Sequence, residues 1–410
     1  MNQQQNPGSE RHSRRIPELD GVRGIAILLV LVWHYAVVTL WVQPDSAMSY
    51  VLAGLRLSWS GVDLFFVLSG FLIGGILIDN RGAKNYFRVF YMRRTCRIFP
   101  LYFIWLMIFC DLLLAEGILF SEERFRWLLA NPLPLFSYLT FTQNIAMALH
   151  NVFGSNWMGV TWSLAVEEQF YLTLPFIIRY CHPRKLPWLL LSLVLVAPLL
   201  RVVLFFWDPY QRLSVYVLMP CRADALLLGV LAAWMVRQQA IAQLLGNHRK
   251  VLRAALGISL AGVIGLIISG NTFIISPAMV SFGYSWLALF YTCFLLQAVT
   301  QKRGIIKAIA SNLLLRRLGI IAYGVYVFHQ GVLGLTHGLI LDQAPRILGI
   351  QELLVTLLAL AITLAAASVS WRFFEKPLVA LGHDFQYEKK MAPSMLPSSL
   401  NPQLSEARAG

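Results

Sequence analysis

Apolar runs of about twenty residues, the length a helix needs to cross a bilayer, follow one another along most of this chain. They fall approximately at 22–40, 57–78, 98–117, 160–179, 187–207, 216–236, 252–270, 281–300, 318–340 and 351–372, with short polar stretches between them. The pattern predicts an all-α fold, a polytopic membrane bundle of about ten transmembrane helices. Between the third and fourth runs, 118–159 is semi-polar and holds a weaker apolar stretch from Leu133 to Thr142, read as a re-entrant or interfacial piece. Residues 1–21 are polar, and no small-residue cleavage site follows the first apolar run, so that run reads as a retained span. The spans and their loops occupy 22–380. From about 381 to 410 the chain is rich in Ser, Pro and polar residues and reads as a disordered tail. There is no internal repeat, and no soluble domain is expected after the last span.

Charge adds the orientation. A net charge of +14 raises the question of nucleic acid, yet 58% of residues are hydrophobic and only 13% charged, which is membrane-protein usage. Placing the amino terminus inside puts 27 of the 34 Lys and Arg on inside loops or inner helix ends. Only Arg56, Arg124, Arg126, Arg201, Arg212, Arg222 and Arg346 fall elsewhere. The positive-inside bias therefore predicts both termini in the cytoplasm, with membrane lipid around the chain and no nucleic acid as partner. Five cysteines stand singly, at 96, 110, 181, 221 and 293, so neither a disulfide framework nor a metal site is expected.

Against this background the ionisable residues inside spans stand out. W-S-L-A-V-E-E-Q-F-Y, Trp162 to Tyr171, puts Glu167 and Glu168 inside the fourth span, where a charge costs roughly 2.5–3.5 kcal/mol on insertion scales. His34 lies in the first span and Asp63 in the second. At 1.5 Å per residue, His34 is about 16 Å deeper than Arg23, and a spacing near three turns puts the two on one face. Asp63, Glu167 and Glu168 fall in the outer halves of their spans, Arg222 and Asp224 near the outer end of the sixth, and Tyr326 and His329 midway along the ninth. These distant groups converge on one layer. Successive helical residues point about 100° apart, so at most one of Glu167 and Glu168 faces His34, while the other is expected to pair with a cation such as Arg222. Asp63 is a second candidate partner for His34. At the inner face Arg93, Arg94 and Arg97 open the third span, and Arg94 and Arg97, at i and i+3, suit a phosphate. A cytoplasmic phosphate-bearing donor with a long arm fits the gap between this mouth and His34, and acyl-CoA is the obvious candidate.

The pieces then match a family. The sequence resembles the acyltransferase-3 family of bacterial integral-membrane O-acyltransferases over nearly all of 15–380. In order, they are P-E-L-D-G-V-R-G with His34 after it, G-V-D-L-F-F-V-L-S-G-F-L-I (Gly61 to Ile73) and R-R-T-C-R-I-F-P-L-Y (Arg93 to Tyr102). T-W-S-L-A-V-E-E-Q-F-Y (Thr161 to Tyr171), R-A-D-A-L (Arg222 to Leu226), G-V-Y-V-F-H-Q (Gly324 to Gln330) and F-E-K-P (Phe374 to Pro377) follow. The resemblance implies transfer of an acyl group, usually acetyl from acetyl-CoA, to a hydroxyl, typically of an extracytoplasmic glycan. It implies a multi-pass protein of the bacterial inner membrane in its stand-alone form, without the fused esterase-like domain of some members. Such a chain is expected to work alone or with separate glycan-assembly proteins. No permanently bound cofactor is expected; acetyl-CoA or another acyl-CoA is a co-substrate.

His34, Asp63, Glu167 and Glu168 are thus the candidate catalytic residues, and Arg23, Arg94 and Arg97 the candidate acyl-CoA ligands. Arg222, Asp224, Tyr326 and His329 serve either the acceptor or the structure. In the expected mechanism a neutral His34 acts as general base on the acceptor hydroxyl, with a carboxylate fixing its tautomer. A covalent acyl-histidine is the competing route. A proton-coupled transporter would also bury His, Asp and Glu, but the lack of inverted-repeat symmetry and the arginine mouth count against it. The acceptor stays open among lipopolysaccharide, exopolysaccharide, peptidoglycan, lipid-linked sugars and smaller products.

Overall fold

The computed structural model describes residues 16–115, 123–208, 210, 212–247 and 249–388. Among these the regular elements are helices joined by turns and loops, apart from one isolated bridge between Leu40 and Ile347. The long helices are α1 (Pro17–Val32), α2 (Gly61–Asp79), α3 (Tyr86–Ala115), α4 (Trp162–Tyr180), α5 (Leu186–Trp207), α6 (Met219–Met235), α7 (Arg249–Ile268), α8 (Tyr284–Thr300), α9 (Ala322–Leu341) and α10 (Ile350–Ser370). Nine of them, with their flanking turns, are long and apolar enough to cross a membrane. The exception is α4, which has the length, 19 residues, but carries Glu167, Glu168 and Arg179.

Two boundaries differ from the hydropathy pattern, and both matter for the site. The third helix begins at Tyr86, not near 98, because Tyr86, Val89 and Phe90 are buried and carry the helix on through its arginines. Arg94 and Arg97 therefore lie about 12 and 16 Å along α3 from its first residue, inside the bundle and not at its opening. At the other end, the helix Lys376–Asp384 runs along α3, and Arg93 donates to the Phe385 carbonyl at 2.7 and 2.9 Å. The first residues of the expected tail, through Glu388, are thus docked. Residues 1–15 and 389–410 lie outside the described residues.

The segment between α3 and α4 folds into the short helices Glu123–Leu129, Leu135–Leu139, Gln143–His150 and Asn156–Gly159. It is pinned inward: Tyr102 donates to the Tyr138 carbonyl at 2.8 Å and Gln143 Nε2 to the Thr161 carbonyl at 3.0 Å. The Leu133–Thr142 stretch lies within this packed segment, with Tyr138 fully buried.

Among the described residues three single π turns adjoin the helices, at Trp33–Val37, Met279–Gly283 and Trp371–Glu375. Such turns are frequent at functional sites. The first contains His34 and the third ends on Glu375.

Helices α2 and α6 form the most intimate pair of the bundle. Their backbones meet at Gly70 and Gly229, where an added Cβ would collide with the carbonyls of Leu226 and Val67 respectively. That approach sets where Asp63 and Arg222, one near the start of each helix, can meet. Gly229→Val should force the pair apart and cost at least about 1–3 kcal/mol, the usual penalty for overpacking. The check is thermal unfolding in detergent, and a midpoint equal to wild type would contradict this packing.

Candidate active site

His34 enters the interior on the π turn that prolongs α1. Its Nδ1 lies 3.0 Å from the Val30 carbonyl and 3.3 Å from Nε2 of His329 on α9. The next residue, Tyr35, donates to the His329 carbonyl at 2.8 Å and meets Thr363 Oγ1 of α10 at 2.9 Å. Tyr326, one turn before His329, is held on α4's side by Ser163 Oγ at 2.6 Å and the Val160 carbonyl at 2.8 Å. So α1, α4, α9 and α10 are tied together around the two imidazoles.

The arginines gather toward the start of α1, where Arg23 lies about 16 Å along the helix from His34. Arg23 from α1 and Arg94 and Arg97 from α3 are close enough for their charges to act on one another, and Glu167 lies within electrostatic range of Arg94 and Arg97. Arg23 is also paired with Asp20 at 3.1 Å. Glu167 accepts from Tyr171 at 3.0 Å, and the Tyr171 hydroxyl meets Ser69 Oγ at 2.6 Å. Glu168 stands near Arg94, and its Oε1 has no hydrogen-bond partner among the described residues. His34, Arg97, Glu167 and Glu168 are surrounded by protein, yet each keeps some accessible surface. They therefore border an internal space.

Asp63 belongs to a different cluster. It pairs with Arg222 at 2.5 Å, and Asp224 pairs with Arg201 at 2.9 Å. Arg201 also reaches Ser285 Oγ at 2.7 Å and the Val280 carbonyl at 3.1 Å, while Arg222 stacks over Tyr284 with its guanidinium carbon 4.0 Å from the ring centre. All four charged side chains are sealed from solvent. This corrects two expected pairings: the partner of Arg222 is Asp63 and not a glutamate, and the neighbour of His34 is His329 and not a carboxylate. The convergence on one layer resolves into two clusters, one accessible and one sealed.

Sequence reasoning passed over several members. Arg201 looked like a stray outer arginine and is a fully buried ion-pair partner. Tyr171 follows Glu167 by four residues, one helical turn, and that spacing alone sets up their hydrogen bond. Glu375, within F-E-K-P, is 5% exposed, accepts from Ser370 at 2.8 Å and lies within electrostatic range of Arg97. Tyr323 donates to the Ile98 carbonyl at 2.7 Å and stands close to Glu168, Glu375 and Arg97. Among the described residues no three His, Cys, Asp or Glu side chains are grouped as a metal ion requires.

Comparison with known proteins gives a family whose model, described as an acyltransferase domain, matches residues 16–372. The peptidoglycan O-acetyltransferase OatA of Listeria monocytogenes is 27% identical over 90% of this chain and 56% of its own length. A putative peptidoglycan O-acetyltransferase of Bacillus subtilis, YrhL, is 27% identical over 91% of this chain and 56% of its own. The O-acetyltransferase OatA of Staphylococcus aureus is 25% identical over 89% and 57%. The chain thus spans a little over half the length of these relatives. No solved structure matches. The family match leaves the transporter reading without support.

The sealed cluster generates a stability prediction. Arg222→Leu strands the Asp63 carboxylate in a dry interior and should cost about 3–5 kcal/mol. Replacing both partners, Asp63→Leu with Arg222→Leu, should recover most of that loss, as read from detergent unfolding midpoints. A double variant no more stable than the single one would show that the pair is not what holds α2 to α6.

Proposed function

The chain belongs to the acyltransferase-3 family, and from that premise we propose that it is an O-acetyltransferase of the bacterial inner membrane. It takes an acyl group, in the first instance acetyl, from acyl-CoA on the cytoplasmic side and places it on a hydroxyl of an extracytoplasmic or lipid-linked glycan. The observation that carries this reading is the gathering of Arg23, Arg94 and Arg97 inside the bundle, with Arg23 about three helical turns from an accessible His34 on the same continuous helix. The printed names of the relatives make peptidoglycan the first acceptor to test. Bilayer lipid and a separate glycan-assembly protein that presents the acceptor complete the partners.

In this reading Arg94, Arg97 and Arg23 hold the CoA phosphates, and Glu167, one turn from Tyr171, keeps the two α3 guanidiniums oriented. The pantetheine arm then leads the thioester toward His34. The Val30 carbonyl accepts a hydrogen bond from the His34 Nδ1–H, so the Nε2 lone pair serves as the base. Nε2 removes the hydroxyl proton as the acceptor oxygen attacks the thioester carbon. The C–S bond breaks, and the CoA thiolate collects the proton from His34. General-base help of this kind is worth typically 10²–10⁴-fold. Glu168, with an unpartnered oxygen, binds the acceptor hydroxyl. Asp63 acts only through the Arg222 pair. The rival route puts the acyl group first on His34 Nε2; a burst of free CoA in the absence of acceptor would favour it, and its absence favours direct transfer.

The experiment is binding of CoA to the purified protein in detergent. Wild type should bind, and Arg94→Ala or Arg97→Ala should each weaken binding about 10- to 100-fold, the worth of a charge-assisted hydrogen bond. Absence of CoA binding by wild type, or equal binding by the arginine variants, would contradict the donor site.

A further inference from the structure

Among the described residues the hydrogen-bond partners of the His34 ring are the Val30 carbonyl and His329, not a carboxylate, so something else must hold that ring. The imidazoles of His34 and His329 meet edge to face, with centroids 4.8 Å apart and planes at 64°. Each has a backbone carbonyl on its Nδ1: the Tyr326 oxygen lies 2.8 Å from His329, and the Val30 oxygen 3.0 Å from His34. A carbonyl oxygen only accepts, so both neutral rings carry their proton on Nδ1. His329 Nε2 is then a bare lone pair, and it lies 3.3 Å from the His34 Nδ1–H.

We propose that His329 is the positioning residue for His34, standing where a carboxylate stands in a Ser-His-Asp site. The inference rests on the reading of His34 as the base. His329 has no exposed surface and does not meet substrate. Its lone pair accepts from His34 Nδ1–H, shared with Val30, and fixes the ring so that Nε2 faces the internal space. When His34 takes the hydroxyl proton, the Nδ1–H···Nε2 bond becomes charge-assisted and shares the positive charge between two rings. The proton then leaves from His34 Nε2 to the CoA sulfur, and His329 begins and ends neutral. A neutral imidazole suits this depth, since an unpaired buried carboxylate costs far more. The Tyr35 hydroxyl on the His329 carbonyl adds a second tie at the same point, so the π turn and α9 move as one piece.

Two substitutions separate positioning from mere packing. His329→Phe keeps a ring but removes the acceptor, while His329→Gln keeps an acceptor oxygen. His329→Phe should lower kcat by about 10- to 100-fold with KM for acetyl-CoA unchanged, and His329→Gln should restore most of it. Unchanged kcat in His329→Phe, or a glutamine variant as slow as the phenylalanine one at equal folded yield, would overturn the proposal. A second measurement needs no turnover. In 15N-histidine-labelled protein, with signals assigned by the His34→Ala and His329→Gln variants, both rings should appear as Nδ1–H tautomers. An Nε2–H tautomer at His329 would overturn the pairing whatever the reaction is. Full transfer by His34→Ala would instead remove the proposed base and leave the tautomer result standing.

Discussion

Charge inside hydrocarbon has to be matched within the protein, and most of this structure follows from how that is done. Where charges are sealed, they are matched pairwise: Asp63 with Arg222 and Arg201 with Asp224 stitch α2, α5 and α6 into one block. Nearer the ends, Arg237 grips Asp79 and Lys307 grips Glu18, each across two helices. The close backbone approach of α2 and α6 at Gly70 and Gly229 belongs to the same solution, because it brings the partners within reach. What remains is a set of groups that keep accessible surface: His34, Arg94, Arg97, Glu167 and Glu168. The difference between sealed and accessible charge divides scaffold from candidate chemistry.

Much of this was legible in the sequence, for a physical reason. Bilayer thickness imposes a length on every span, so apolar run lengths and the Lys/Arg bias carry the architecture. Intramembrane cost marks His34, Glu167 and Glu168 as residues that need a reason, and seven motifs in order mark the family. Pairing was not legible. Asp63 and Arg222 are 159 residues apart and meet only because two glycines allow their helices to touch. Nor does hydropathy see α3 starting at Tyr86, since arginines lining an interior space lower the local average while the buried aromatic face carries the helix on. His329 was read as serving either the acceptor or the structure; its link to His34 depends on a carbonyl at each Nδ1, which only three-dimensional geometry supplies.

The site's two halves have separate jobs in the proposed reaction. Arginines from α1 and α3 hold the anionic end of a donor, and the paired imidazoles handle one proton at its reactive end. Arg23 lies on α1 and His34 on the π turn that prolongs it, so donor grip and base are set by one continuous helix. The conformation of Trp33–Val37 therefore controls the distance between them, and Tyr35 anchors that turn to α9 and α10. Glu375, at the end of the third π turn, comes within electrostatic range of Arg97 from the far end of the chain.

The central claim is that His34 is the base for acyl transfer out of acetyl-CoA. Its most direct test is transfer of labelled acetyl from acetyl-CoA into extracytoplasmic glycan, in membranes carrying wild type or His34→Ala at equal expression. Label that accumulates with wild type and is absent with the variant is the predicted result. Transfer by the variant at the wild-type rate would contradict it.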